Sequence, residues 1–152
     1  MPNKSDLIEY RKKAQKYLSN NFDIKLFQFN HFGIKANTKK GYQNIRSEIQ
    51  KTGVVLNEVF WNDKHITTVK DQDFVYEISE PKPNKNVGKT KIDHVSFICK
   101  DFRDVKKSLR NKIVGGFDVG ESHGIKISPE ESLIIEIRND DIIESVNENF
   151  PS

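Results

Sequence analysis

Two histidines and two glutamates occupy corresponding places in the two halves of the sequence. His31 stands in FQFNHFGIKAN, Phe27 to Asn37, and His94 in KIDHVSFICKD, Lys91 to Asp101. Each is followed by apolar residues at alternate positions: Phe32, Ile34 and Ala36 after the first, Val95, Phe97 and Cys99 after the second. Side chains alternate between the faces of a strand, so both imidazoles point away from the face that meets a core. Glu77 in FVYEIS and Glu136 in LIIEIR have apolar neighbours on each side, which puts both carboxylates on the histidines' kind of face. A bare buried carboxylate is strongly unfavourable, so each must be solvated or paired with something positive. Glu77 follows His31 by 46 positions and Glu136 follows His94 by 42. If the two halves set their sheets side by side about a pseudo-two-fold axis, the four side chains converge. Two imidazoles and two carboxylates suit Zn, Ni, Co, Mn or Fe(II), with water or substrate in the remaining positions. Open positions on such an ion permit chemistry.

The elements that must position these residues repeat as well. After the His31 strand, Tyr42, Ile45 and Ile49 are spaced as one face of a helix, and Gly53 follows where a helix commonly stops. Strands are expected at Val54 to Trp61, Ile66 to Lys70 and Phe74 to Ser79, separated by the turn formers Asn62-Asp63 and Asp71 to Asp73. Residues 27–81 thus read βαβββ. Residues 82–90, rich in lysine and proline, read as an exposed linker. Residues 91–139 repeat the plan. Asp101 is the expected cap, Phe102, Val105 and Leu109 form the matching helical triplet, and strands are expected at 117–121, 125–128 and 133–138. Gly115-Gly116 and Gly120 read as interruptions. Residues 1–26 form an N-terminal extension with a helix over Ser5 to Asn20, capped by Ser5 and striped by Leu7, Tyr10, Ala14, Tyr17 and Leu18. It is expected to pack against the repeated part. Residues 140–152 read as a tail.

A chain of 152 residues and 17.6 kDa buries a real interior as one domain. Charged residues make up 31%, but ten Phe, four Tyr and one Trp supply core material that a disordered chain lacks. The 25 basic and 22 acidic residues are interspersed without a basic run among aromatics, which argues against nucleic acid as a partner. Cys99, the only cysteine, excludes an internal disulfide and falls on the apolar face of its strand, as a core residue would. No apolar run reaches the length of a membrane span or signal peptide. The expectation is a cytoplasmic protein whose partner is a small molecule, not a membrane.

YEISEPKP followed by KIDHVSFICKDF resembles the junction between the two modules of the vicinal oxygen chelate superfamily, and PEESLIIEI resembles its closing strand. That superfamily contains glyoxalase I, methylmalonyl-CoA epimerase, extradiol dioxygenases and the fosfomycin and bleomycin resistance proteins. The resemblance covers about Phe27 to Asn139 and lies in the order and spacing of four motifs. It implies an α+β fold of two tandem βαβββ modules in curved mixed sheets, here preceded by the N-terminal helix. It implies one divalent metal ion held by His31, Glu77, His94 and Glu136. The implied activity is that of an isomerase or lyase, glyoxalase- or epimerase-like, which moves a proton next to a carbonyl while the ion stabilises the enolate charge. A displaced Glu136 or Glu77 would serve as base. The alternative is a non-catalytic, bleomycin-resistance-type protein that sequesters a small molecule. A dioxygenase fits less well, because it uses three protein ligands. The family builds its site either within one chain or across a homodimer of swapped modules, and the linker permits both.

Lys35 and Arg138 each belong to a ligand-bearing strand and are candidates to bind a substrate carboxylate or phosphate. Trp61 is placed either at the pocket mouth or in rim packing. His65 and His123 lie in turn-like contexts and read as surface histidines.

Overall fold

The computed structural model describes residues 1–83 and 88–150. Helix α1 (Lys4–Asn21) precedes the first module, which comprises β1 (Phe27–Lys35), α2 (Lys39–Gln50), β2 (Val54–Trp61), β3 (Lys64–Lys70) and β4 (Val75–Ser79). The second comprises β5 (Lys91–Cys99), α3 (Phe102–Ser108), β6 (Ile113–Val119), β7 (Ser122–Glu130) and β8 (Leu133–Arg138), followed by α4 (Ile142–Asn149). Both modules are βαβββ, as the hydrophobic pattern implies. Of the linker expected at 82–90, residues 84–87 lie outside the described residues.

All eight strands share one curled sheet in the order β2-β3-β4-β1-β5-β8-β7-β6. In each module the first and last strands run parallel, β1 beside β4 and β5 beside β8, and the remaining neighbours are antiparallel. The modules meet where β1 and β5 pair antiparallel, with Phe32 opposite Val95, His31 opposite Ser96 and Gly33 opposite His94. That register relates the halves by a pseudo-two-fold axis through the Phe32–Val95 pair. It brings both halves of the candidate site together within one chain.

Alternation gives the sheet two different faces. Phe32, Ile34, Tyr76, Ile78, Val95, Phe97, Ile135 and Ile137 are all at most 1% exposed on the helix-covered face. Each such side chain contributes roughly 1.5–3 kcal/mol. Against them pack Tyr42, Ile45 and Ile49 of α2, Val105 of α3, and Leu7, Ala14 and Leu18 of α1. Helix α1 is capped by Asn3, which accepts from the Asp6 N–H, not by Ser5. It touches β5 and β8, so the extension belongs to the second module's core. Cys99 is buried there, and burial pushes its thiol pKa up.

Three departures from the expected elements have local causes. β3 starts at Lys64 because Asn62 and Asp63 both adopt positive φ, 55° and 64°, the two-residue hairpin turn that matches strand twist. β6 runs through Gly115-Gly116, with a bulge between Ile113 and Gly115. There the glycine lets strands approach closely: Gly116 has φ 158°, and a Cβ on it would collide with the Gly124 carbonyl. The third is the tail. Asp141 accepts from the Ile143 N–H at 2.7 Å and starts α4, whose Ile142 is 1% exposed and which packs toward β2. Among the described residues no helix is long and apolar enough to cross a membrane.

Candidate metal centre

The face opposite the helices carries the polar residues. On β1 and β5 that face carries His31, Gly33, His94 and Ser96; on β4 and β8 it carries Glu77 beside Gly33 and Glu136 beside Ser96. The two-fold register places each imidazole across from the small residue of the other strand. His94 fills the space over Gly33, where a Cβ would stand 2.6 Å from Nε2. His31 lies opposite Ser96 in the same way.

Both histidines are buried, at 0% and 1% exposure, and each is oriented by the residue before it. Asn30 Oδ1 lies 2.7 Å from His31 Nδ1 and also accepts from the Ile142 N–H at 3.2 Å. That second bond identifies the atom as the amide oxygen, so His31 Nδ1 is a donor. Asp93 Oδ2 lies 2.8 Å from His94 Nδ1. Burial would raise the Asp93 carboxyl, but the bond to His94 Nδ1 and the charges of Lys126 and Lys35 outweigh it and hold the group well below the usual carboxylate range. His94 Nδ1 is therefore a donor too. With both protons at Nδ1, the two Nε2 lone pairs face one another at 3.4 Å. A proton or a metal cation between them would satisfy that pair, and burial drives His31 strongly toward the neutral form a metal ligand requires.

Two carboxylates lie close to the imidazoles. His94 Nε2 is 3.9 Å from Glu77 Oε1 and 3.6 Å from Glu136 Oε2, and His31 Nε2 is 3.8 Å from Glu136 Oε1. Ligand atoms around a tetrahedral ion at about 2.1 Å stand about 3.4 Å apart, so these separations suit a metal after small inward shifts. The tightest cluster is His31, Glu77 and His94, whose nearest donor atoms all lie within 4.8 Å of one another.

The two glutamates have different surroundings. Glu136 accepts from Ser96 Oγ at 2.8 Å and from Arg138 Nη1 at 3.3 Å. Burial alone would raise its carboxyl; the imidazoles of His94 and His31 when protonated, with Arg138 and Lys126, hold it low. Glycine at the matching position of the first module leaves Glu77 without that hydroxyl, and its side chain is 29% exposed. Arg138 is locked by Asp140, through the backbone oxygen at 2.8 Å and Oδ1 at 3.2 Å, and lies over the Phe117 ring. Lys35 pairs with Asp93 at 3.3 Å. Both residues expected to bind substrate are thus engaged with the protein's own carboxylates.

Above the carboxylates is a cavity of about 190 Å³, lined by Trp61, Lys64, Thr68, Phe117, Lys126 and Arg138, with α4 contributing Ile142, Ser145 and Val146. The expected tail is therefore a roof over the site. Asn57 of β2 ties down its end by donating to the Phe150 carbonyl at 2.9 Å. His65 and His123 lie away from this cavity, half-exposed beside Glu80 and Asp118.

No protein-family profile matches the sequence, and no curated protein matches it. Solved structures do match. Protein EC4020, a structural-genomics structure, superposes with a TM-score of 0.71 over 95% of this chain and 89% of its own, at 13% identity. Methylmalonyl-CoA epimerase from Mycobacterium tuberculosis gives 0.54 over 72% of this chain and 85% of its own, at 12% identity. Glyoxalase I from Zea mays, as a V278E mutant, gives 0.54 over 74% of this chain at 17% identity. This chain has the vicinal oxygen chelate fold. The match spans 43% of the maize chain, so a vicinal oxygen chelate unit the size of this one is less than half of that enzyme. Gly33, Ser96, Asn30 and Asp93, which shape the centre, are not evident from the alternation of apolar residues. Their signal is the two-fold register, which puts the residue before each histidine on its Nδ1 and a small residue across from its ring.

Proposed function

We propose that this protein holds one divalent metal ion through His31, Glu77 and His94, with Glu136 as the fourth donor, and acts as an isomerase or lyase that moves a proton next to a carbonyl. The observation that carries this reading is the pair of buried Nε2 atoms facing each other, both turned to acceptors by Asn30 and Asp93. An ion there supplies a Lewis acid that polarises a carbonyl oxygen and stabilises the charge left when the neighbouring C–H bond loses its proton. Zn, Ni, Co, Mn and Fe(II) all suit the donor set.

The chain's own residues divide the remaining work. Ser96 and Arg138 fix Glu136, which makes it a permanent anion and a poor proton carrier. Glu77 faces the cavity with more freedom and is the better base: it would leave the ion when substrate binds, and its carboxylate would take the proton and return it to the same or the adjacent carbon. Helix α4 lines one side of this cavity with Ile142, Ser145 and Val146. The sequestration alternative calls for room for a drug-sized aromatic, and a cavity of about 190 Å³ favours a small substrate instead.

The test is solvent exchange. Metal-loaded protein in deuterium oxide is incubated with small 2-oxo acids and α-hydroxy ketones, and loss of the proton next to the carbonyl is followed by NMR. Exchange is expected with wild type and is reduced by at least about a hundredfold in Glu77→Gln. Equal exchange in the two proteins would remove Glu77 from the reaction.

A further inference from the structure

The positive charges around the cavity are not equally engaged. Arg138 is paired with Glu136 and Asp140, and Lys126 with Asp93 at 3.6 Å. Lys35, behind Asp93, is paired with it too. Lys64 lines the same cavity, is half-buried, and its ammonium has no hydrogen bond or ion pair to any group among the described residues. Its position is not accidental to a mobile tip. Lys64 closes the two-residue turn that starts β3, is held opposite Trp61 by strand pairing, and shares a face with Ile66 and Thr68.

The carboxylates that act on it are Glu77 and Asp93, both beyond ion-pair distance; Asp93 is paired with Lys35 and Lys126, and Glu77 is taken up by the metal and the proton transfer in the reading above. Metal loading therefore leaves Lys64 as an uncompensated cation and adds further positive charge to the floor. A half-buried ammonium without a counter-charge is costly, and a ligand that brings one removes the cost.

We infer that Lys64 anchors a carboxylate of the ligand, so that the cavity takes a small molecule with an anionic carboxylate at one end and a metal-binding oxygen at the other. The volume fits this size class, since about 190 Å³ is roughly six waters at ~30 Å³ each. Trp61, beside Lys64 on the cavity wall, offers the apolar surface against which a short carbon chain between the two ends would lie. The inference rests on the metal reading for the second end of the ligand and on Lys64 alone for the first.

Two hydroxamates separate these ends. Acetohydroxamate and succinate monohydroxamate share a metal-chelating head and differ by a distal carboxylate. Each is titrated calorimetrically into wild type, Lys64→Met and Lys64→Arg, with metal content measured on the same samples. In metal-loaded wild type the carboxylate-bearing probe is expected to bind at least about tenfold more tightly. Lys64→Met is expected to make the two probes equal without changing metal content, and Lys64→Arg to keep most of the preference. Equal affinities in loaded wild type, or a preference that survives in loaded Lys64→Met, would overturn the anchor. If wild type takes up no metal, binding of succinate monohydroxamate that Lys64→Met abolishes supports the anchor and removes the metal reading; no binding removes both.

Discussion

Gly33→Ala tests the geometry of the centre most sharply. A Cβ built on Gly33 stands 2.6 Å from His94 Nε2 and closer to Cε1 and Nδ1, whereas ordinary contacts begin near 3.4 Å. The ring must therefore retreat by about 1 Å or rotate, and its Nδ1 bond to Asp93 at 2.8 Å cannot survive unchanged. Overpacking of this kind costs typically about 1–3 kcal/mol of stability, which leaves most domains folded. For the metal it is more serious. Disturbing an outer hydrogen bond of a ligating histidine costs about 10–100-fold in affinity, and here the ligand atom moves as well. A loss of about a hundredfold or more is expected, equivalent to about 2.7 kcal/mol. The assay is competition against a fluorescent chelator, with near-UV circular dichroism as the check on folding. Gly88→Ala, where a Cβ meets nothing within 4 Å, is the control and should bind as wild type. A folded Gly33→Ala that binds metal as tightly as wild type would refute the placement of His94 in the site.

Three further outcomes follow from the same structure. Arg138→Met leaves Glu136 buried without its ion pair and should destabilise the metal-free protein by about 3–5 kcal/mol in urea, with part recovered on adding metal. Ile142→Ala removes a residue that is 1% exposed at the start of the roof, next to the N–H that binds Asn30; it should cost about 2–5 kcal/mol and speed metal loss to a chelator. Asp71 gives a pH signature away from the centre. Burial opposes its ionisation, but the Phe74 and Asp73 N–H groups, Lys4 and Tyr76 outweigh it and lower its carboxyl pKa. A depressed pKa gives stability that is present above the unfolded value of about 3.9 and is lost as pH falls through the folded one. The stability gap between wild type and Asp71→Asn should therefore be full at pH 7 and close in acid, and a gap independent of pH would contradict this origin.

Much of this was written in alternation. His31 and His94 precede apolar residues at every second position, Glu77 and Glu136 sit between apolar neighbours, and those patterns alone put the four on one face of their strands. What alternation does not carry is the pairing between strands. The roles of Gly33 and Ser96 depend on a register in which each lies opposite the other module's histidine, a long-range fact with no local signature. Arg138 read as a candidate to bind a substrate anion because nothing in LIIEIR shows that the chain turns back at Asp140 to bind it. Gly115-Gly116 read as a break, since a glycine pair weakens a strand unless another backbone must come close, as that of Gly124 does. Helix α4 has a local signal in Asp141, Ile142 and Val146, but eight residues give too few turns for periodicity to identify a helix. Its stability comes from the burial of Ile142 and from its contacts with β2, which the chain order does not reveal.

The central claim is that one ion sits between His31, Glu77 and His94. The most direct measurement is elemental analysis of protein purified without chelator and then exposed to Zn, Ni, Co, Mn and Fe(II) salts, compared with His94→Ala and with His123→Ala as a surface control. About one ion per chain is expected in wild type and His123→Ala, and none in His94→Ala. Wild type that holds no metal under any of these conditions, or His94→Ala that holds as much as wild type, would contradict it.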